Sequence, residues 1–371
     1  MLNFLFVVGT RPEIIKTATV IHECYGRKNL NAELLHTGQH RELAEEMLAL
    51  FSLEPKYRLD VMRDNQNLFQ LTSRIMEGFS TIITPGKYDM VFVQGDTTTA
   101  FLGALAAFYS KIPVGHIEAG LRTHDRYSPF PEEINRRLVS PLASIHFAPT
   151  ERAKEMLISE NIPPANIVIS GNTVIDALLS CLDKEYIPDN SLEGILNSKE
   201  KIILITMHRR ENFGQPHKEV FEAILELADK HDDVQIVFPV HPNPKVRKEV
   251  HKTLNNHKRI HLIEPLGYMD FINIMKKSYL ILSDSGGIQE EAPTLKKPVL
   301  VLRESTERPE GITTGALKLV GTNKEAILKE VNTLLTDCEA YKAMTSNPNP
   351  YGDGLASKKI IDSALDFISN N

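Results

Sequence analysis

Short runs of Val, Ile, Leu and Phe, each closed by a polar loop and followed by a stretch of helical periodicity, recur along the whole chain and constrain its fold more than any other feature. In the first half they are NFLFVV, AELLHT, YDMVFV, PVGHIE and SIHFAP; in the second, KIILITM, VQIVFPV, RIHLIE, YLILSD and KPVLVL. A continuous apolar run of this length reads as a strand buried on both faces, the situation of parallel strands covered by crossover helices. Helix starts are expected near Pro12, His40, Asn67, Thr97, Pro131 and Glu151, with Pro12 and Pro131 in first helical turns. The fold class is therefore α/β: two doubly wound Rossmann-like domains, with the loops at the carboxyl ends of their strands expected to face a central cleft. At 371 residues and 42% hydrophobic, the chain can fill two such cores.

The division is expected near residue 170, giving an N-terminal domain over 1–170 and a C-terminal domain over 171–354. The closing amphipathic segment LASKKIIDSALDFI, within 355–371, is expected to cross back and complete the first domain. A net charge of -6 leaves no global positive field to gather nucleic acid or anionic lipid. The opening apolar run ends after about seven residues, too short for a membrane span and without the basic leader of a signal peptide. Cys24, Cys181 and Cys338 show no CxxC or metal-ligand spacing, which favours reduced thiols and a cytoplasmic protein.

Polar residues of chemical interest follow strand after strand, in GTRPEIIK, QGDTTTA, HIEAGLRTHD, MHRREN, VHPNP, SDSGGIQEEA and RESTERPEG. In SDSGGIQEEA, Ser285, Gly286 and Gly287 form a turn opening a helix, whose free N–H groups suit a phosphate. Glu291 lies one helical turn beyond Gly287, where it could accept from the two hydroxyls of a ribose; complementing the helix dipole is the competing reading, and the preferred one for Glu290. Neither GxGxxG nor GxxxxGK[ST] is present, so a dinucleotide cofactor is not supported. Asp96 stands where a helix N-cap belongs. Glu118 ends an apolar run and shares a strand face with His116, which reads as a core histidine. Glu132 with Arg136, and Glu133 with Arg137, have the spacing of i,i+4 ion pairs. His208, Arg209, Arg210 and Glu211 follow a strand directly; there the basic residues could meet a phosphate or form surface ion pairs. His116, His208 and His241 lack the short spacings of a metal site, and none is expected.

GTRPEIIK, GDTTTA, HIEAGLRT, SPFPEEINRR, GNTVIDAL, HRRENFG, SDSGGIQEEAP, TERPEG and NPYGDG, in this order across nearly the full chain, closely resemble the non-hydrolysing UDP-N-acetylglucosamine 2-epimerases. The resemblance implies the GT-B fold, a cytoplasmic homodimer, no cofactor, and reversible conversion of UDP-GlcNAc to UDP-ManNAc for surface polysaccharide synthesis. It implies elimination of UDP to 2-acetamidoglucal followed by re-addition on the opposite face. Asp96, Glu118 and Glu132 match the family's essential carboxylates, and His208 its histidine near the leaving phosphate. Arg11 and Lys16 match substrate-binding positions, Ser285, Gly286 and Gly287 the diphosphate loop, Glu291 the ribose contact, and Arg308 a further nucleotide contact. Phe271 and the backbone at Leu266 match the uracil pocket, although Leu266 stands where enterobacterial relatives carry glutamine. Competing readings are a hydrolysing epimerase, an epimerase of a modified UDP-sugar, a GT-B glycosyltransferase and a non-catalytic nucleotide-sugar-binding regulator.

Overall fold

The seven residues of β1 (Leu2–Val8) show why the apolar runs become central strands: Leu5 and Val7 pack into one cluster with α-helical residues such as Leu71, Ile75 and Phe79, while Phe4 and Phe6 face the other side. There Phe6 stacks on Phe92 with ring centroids 4.7 Å apart. Apolar demand on both faces is met only by helices on both faces. The computed structural model describes every residue except His40, 210–213, Asn256 and Asn371, together with the side chains of Arg41, Glu42, Asn190 and Lys245. The helix start expected near His40, and Arg210 and Glu211 of the basic cluster, lie outside the described residues.

The strands are β1, β2 (Leu30–His36), β3 (Tyr57–Arg58), β4 (Met90–Gln94), β5 (Val114–Ile117), β6 (Ile145–Ala148), β7 (Ile167–Ile169), β8 (Lys201–Thr206), β9 (Val234–Pro239), β10 (Ile260–Ile263), β11 (Leu280–Ser283), β12 (Val299–Val301) and β13 (Leu317–Leu319). The helices of the first half are α1 (Arg11–Tyr25), α2 (Arg41–Leu50), α3 (Leu68–Ile82), α4 (Thr98–Tyr109), α5 (Glu132–Val139), α6 (Glu151–Ser159) and α7 (Thr173–Leu182). The remainder are α8 (Asn190–Leu196), α9 (Gln215–Lys230), α10 (Pro244–Leu254), α11 (Tyr268–Lys277), α12 (Gly286–Glu291), α13 (Pro309–Thr313), α14 (Lys324–Thr336), α15 (Cys338–Thr345) and α16 (Ala356–Asn370).

The strands form a seven-stranded sheet of order β3-β2-β1-β4-β5-β6-β7 and a six-stranded sheet of order β10-β9-β8-β11-β12-β13, with every pairing parallel. Each reverses direction of growth once, between β1 and β4 and between β8 and β11. Those reversals are the topological switch points at which open α/β sheets hold ligands.

Two compact units contain these sheets: Met1–Ser180 with Tyr351–Asn371, and Cys181–Pro350. The first runs on through Ser180 instead of ending near residue 170, and resumes at Tyr351. The reason is α7. Its Asp176 carboxylate accepts from the backbone N–H groups of Ser357 at 2.7 Å and Ala356 at 3.3 Å, so it caps the returning helix. That helix, α16, then packs on α1, with the Ser357 hydroxyl 2.8 Å from that of Thr19 and an Arg27–Asp362 ion pair of 2.6 Å.

Candidate active site

In the first unit, the loops after β1 and β4 meet at the switch point and are fastened by Glu13. This buried carboxylate accepts from the N–H of Gly9 at 3.0 Å, the N–H and hydroxyl of Thr10 at 2.8 and 2.7 Å, and the hydroxyl of Thr97 at 2.7 Å. Burial pushes it up to about 7 against the pull of those donors. The only local signal of Glu13 is the capping-box spacing Thr10-x-x-Glu13.

Thr97, not Asp96, caps α4: its hydroxyl accepts from the N–H of Ala100 at 3.0 Å. The Asp96 carboxylate is thereby free of capping and instead takes an ion pair from Arg136, while its carbonyl accepts from Asn135 Nδ2 at 3.0 Å. Burial raises its pKa; the Arg136 charge works against this, and the nearby Glu118 charge adds to it.

Glu118 follows β5 with a backbone φ of 62°, in the left-handed region that a non-glycine residue seldom adopts. The turn aims its carboxylate at the Lys16 ammonium and the Gln94 amide, with Asn172 Nδ2 donating at 3.2 Å. The shared strand face expected for His116 and Glu118 is therefore absent, because β5 ends at Ile117 and alternation stops there. His116 is wholly buried and donates from Nε2 to the Gly95 carbonyl at 2.8 Å.

The expected ion pairs along α5 are also replaced. Arg136 turns to Asp96 and stands 3.6 Å from Glu133, while Arg137 lies 3.9 Å from Glu160. Glu133 is fully buried, accepting from the N–H groups of Thr123 at 3.0 Å and His124 at 3.3 Å. Pro131 takes the N-cap position rather than the first turn, after two cis prolyl bonds, Ser128–Pro129 and Phe130–Pro131. This leaves Glu132 half-buried at the start of α5, with no hydrogen bond or ion pair among the described residues. Arg11, the first residue of α1, is likewise half-buried with none. The first unit thus gathers a lysine-paired carboxylate, an arginine-paired carboxyl group of raised pKa and, at the head of the helix supplying that arginine, an unpaired carboxylate. Groups so differently biased suit acid and base roles.

The switch point of the second unit is fastened by another buried carboxylate that sequence reasoning did not single out, Asp284. It follows β11 and accepts from the N–H of Arg209 at 2.9 Å and that of His208 at 3.1 Å, both in the loop after β8. His208 Nδ1 lies 2.9 Å from its Oδ1. Burial would raise the Asp284 carboxyl, but the His208 bond and charge and the two backbone donors hold it below its ordinary value. The exposed His208 ring stacks on His241, with centroids 6.3 Å apart. Asp284 was legible only as the acidic close of the run YLILSD.

Ser285 is the N-cap of α12, and Gly286 lies under the Arg308 guanidinium: a Cβ at Gly286 would fall 2.6 Å from Arg308 Nη1. Arg308 is held by Glu290, whose Oε1 accepts from Nε at 2.7 Å. The dipole reading of Glu290 is therefore corrected. It stands in the last turn of α12, where a carboxylate opposes the dipole, and serves as the counter-charge of Arg308. Gly287 is exposed at the helix tip, and Glu291, one turn on, is buried with Tyr268 Oη donating at 3.3 Å. Leu266 and Phe271 are half-buried, in the loop after β10 and the first turn of α11. Among the described residues no group of three or more His, Cys, Asp or Glu could hold a metal ion.

Doubly wound sheets in two units, one with a carboxylate-rich switch point and one with a glycine turn beneath an arginine, define a nucleotide-sugar enzyme of GT-B-like fold. A family model for UDP-N-acetylglucosamine 2-epimerase matches residues 22–365, and the chain belongs to that family. The UDP-N-acetylglucosamine 2-epimerase of Escherichia coli strain K12 is 47% identical over 376 residues, spanning 100% of this chain and 99% of the relative. A UDP-GlcNAc 2-epimerase from Neisseria meningitidis, solved bound to UDP-GlcNAc, is similar at TM-score 0.88 and 47% identity, covering 98% of this chain and 100% of that one. A Staphylococcus aureus protein solved with UDP is similar at TM-score 0.87 and 47% identity, covering 100% and 98%.

Proposed function

We propose that the protein interconverts UDP-N-acetylglucosamine and UDP-N-acetylmannosamine by eliminating UDP to 2-acetamidoglucal and adding it back with C2 inverted. The observation that carries this reading is the carboxyl set of the first unit: Glu118 paired to Lys16, Asp96 raised by burial and opposed by Arg136, and Glu132 with no side-chain partner among the described residues. The C2 hydrogen has no adjacent carbonyl to acidify it, so its removal must coincide with loss of the leaving group and needs acid and base groups serving both sugar faces. Asp96, Glu118 and Glu132 are assigned to that proton traffic, with Arg11 and Lys16 holding the substrate and His208 serving the leaving phosphate. In the second unit, Ser285, Gly286, Gly287 and Arg308 are assigned to the diphosphate, Glu291 to the ribose, and Leu266 and Phe271 to uracil.

The protein acts without metal or dinucleotide, in the cytoplasm. Among the described residues no helix is long and apolar enough to cross a membrane. A homodimer is favoured by α4, whose twelve residues TTAFLGALAAFY include no charge although Phe108 and Tyr109 are 56% and 68% exposed. Incubation with UDP-GlcNAc alone in D2O, followed by NMR, tests the reaction. UDP-ManNAc carrying deuterium at C2 is expected, without stoichiometric free ManNAc. Release of free ManNAc would point to the hydrolysing branch, and absence of C2 exchange by folded protein would remove the mechanism.

A further inference from the structure

Asp284 is fully buried, yet its carboxylate faces a ring that is 42% exposed. A carboxylate held below its ordinary value can only accept hydrogen bonds, so His208 Nδ1, 2.9 Å away, carries a proton. That leaves Nε2 as the working atom of the exposed ring. With one proton on the ring Nε2 is a lone pair; with two it is a donor, and a bound diphosphate is the acceptor that such a donor would meet.

We propose that Asp284 is a positioning residue that fixes the protonation of His208 and turns its Nε2–H toward the leaving diphosphate oxygen; this rests on the epimerase reading above. As the C1–O bond breaks, its electron pair passes to that oxygen, where the Nε2–H hydrogen bond strengthens. The C2 proton leaves to a carboxylate, and its bonding pair closes the C1=C2 double bond. In re-addition the diphosphate oxygen attacks C1 as the C1=C2 pair takes a proton at C2 on the opposite face, from a different carboxyl group, and Nε2 faces the same oxygen in both directions.

The neighbouring histidine is set the opposite way. Asn243 N–H donates to His241 Nδ1 at 3.2 Å, so a neutral His241 carries its hydrogen on Nε2. Burial, and then the neighbouring His208, hold His241 below its ordinary value against the pull of Asp284, and so favour its neutral form. Among the described residues, the groups facing His208 are Asp284 from the end of β11, His241 from the end of β9 and the adjoining Arg209. Asp284 alone supplies negative charge among these. The two imidazoles carry distinct and readable protonation patterns.

The test uses full-length protein labelled with nitrogen-15 histidine, with UDP bound. Imidazole NMR of the wild type is expected to show His208 protonated at Nδ1 and neutral His241 protonated at Nε2; a neutral His208 protonated at Nε2 alone would overturn the pairing. In Asp284→Asn, kcat is expected to fall about 10- to 100-fold, the worth of one charge-assisted hydrogen bond, with KM within about threefold. An unchanged kcat, or a loss confined to KM, would overturn the positioning role. Should the variant not fold, the wild-type ring spectrum still decides the pairing. Failure of wild-type protein to exchange the C2 hydrogen would sink the epimerase reading separately.

Discussion

Arg136 is one side chain with two carboxylates, Asp96 in direct ion pair and Glu133 at 3.6 Å, and only the first lies outside its own helix. Glu133 is buried and already bonded to two backbone N–H groups, so Arg136 is the means by which α5 reaches across to the loop after β4. Removing the guanidinium takes away the charge that opposes the raised Asp96 pKa, which must then rise further. In Arg136→Met, the limb of the kcat-against-pH profile that belongs to Asp96 is expected to move to higher pH. A profile superimposable on the wild type would show that Asp96 does not titrate in catalysis. This pairing was not legible in the sequence, where i,i+4 spacing pointed Arg136 at Glu132. The true partner is 40 residues away and becomes a neighbour only when β4 and α5 are placed. Asp96, Glu118 and His208 could be singled out because each follows an apolar run directly. Their partners could not, since Lys16 and Glu118 are 102 residues apart, and His208 and Asp284 are 76.

The strand ends show the same economy in both sheets: one buried carboxylate bonds the two loops that diverge at the switch point, Glu13 in the first and Asp284 in the second. Most of the ten strands visible as apolar runs are buried on both faces, and even the three-residue β12 is buried throughout. β3, β7 and β13 escaped because these short strands are partly exposed and carry no continuous apolar run. Within the first sheet, β5 and β6 place His116 opposite His146, both buried, with ring centroids 6.4 Å apart. Burial, and then the neighbouring His146, holds His116 down to about 3; burial, and then Arg122, holds His146 to about 4. Their unfolded values lie near 6.5, so below that pH the unfolded chain takes up protons that the folded chain refuses. Stability falls as the pH drops from about 6.5 toward those folded values, by about 1.4 kcal/mol per pH unit for each histidine. Denaturant unfolding of His146→Asn between pH 6 and 4.5 is expected to show a pH slope shallower than wild type by about that amount per unit. Equal slopes would mean that His146 is charged in the folded protein.

At the scale of the molecule, the first unit takes the chain back at Tyr351 and carries its own unsolved surface, α4. The helix lies against β1, β4 and β5 on one side, with α3 and α5 flanking it. Its inner face is satisfied there, and Gly103 lets it sit so close that a Cβ would fall 3.1 Å from Val93 and 3.2 Å from Val7. An ordinary surface helix would then turn charge outward, yet α4 has none: Phe101 and Leu105, half-buried, pack on the unit's core, and Phe108 and Tyr109 are exposed. A helix apolar on every side is one whose outer face is covered. A second copy of the same helix can cover it because a two-fold axis places identical apolar faces together without requiring complementary charge. Each aromatic buried there would contribute about 1.5–3 kcal/mol. Paired Phe108→Glu and Tyr109→Glu substitutions would set four carboxylates against one another across that axis. If the proposed homodimer forms through α4, they are expected to shift it to monomer in sedimentation velocity while circular dichroism is unchanged, because neither side chain belongs to the buried core. A wild-type protein that sediments as a monomer would remove the proposed dimer, and a doubly substituted protein that still sediments as a dimer would remove α4 as its interface.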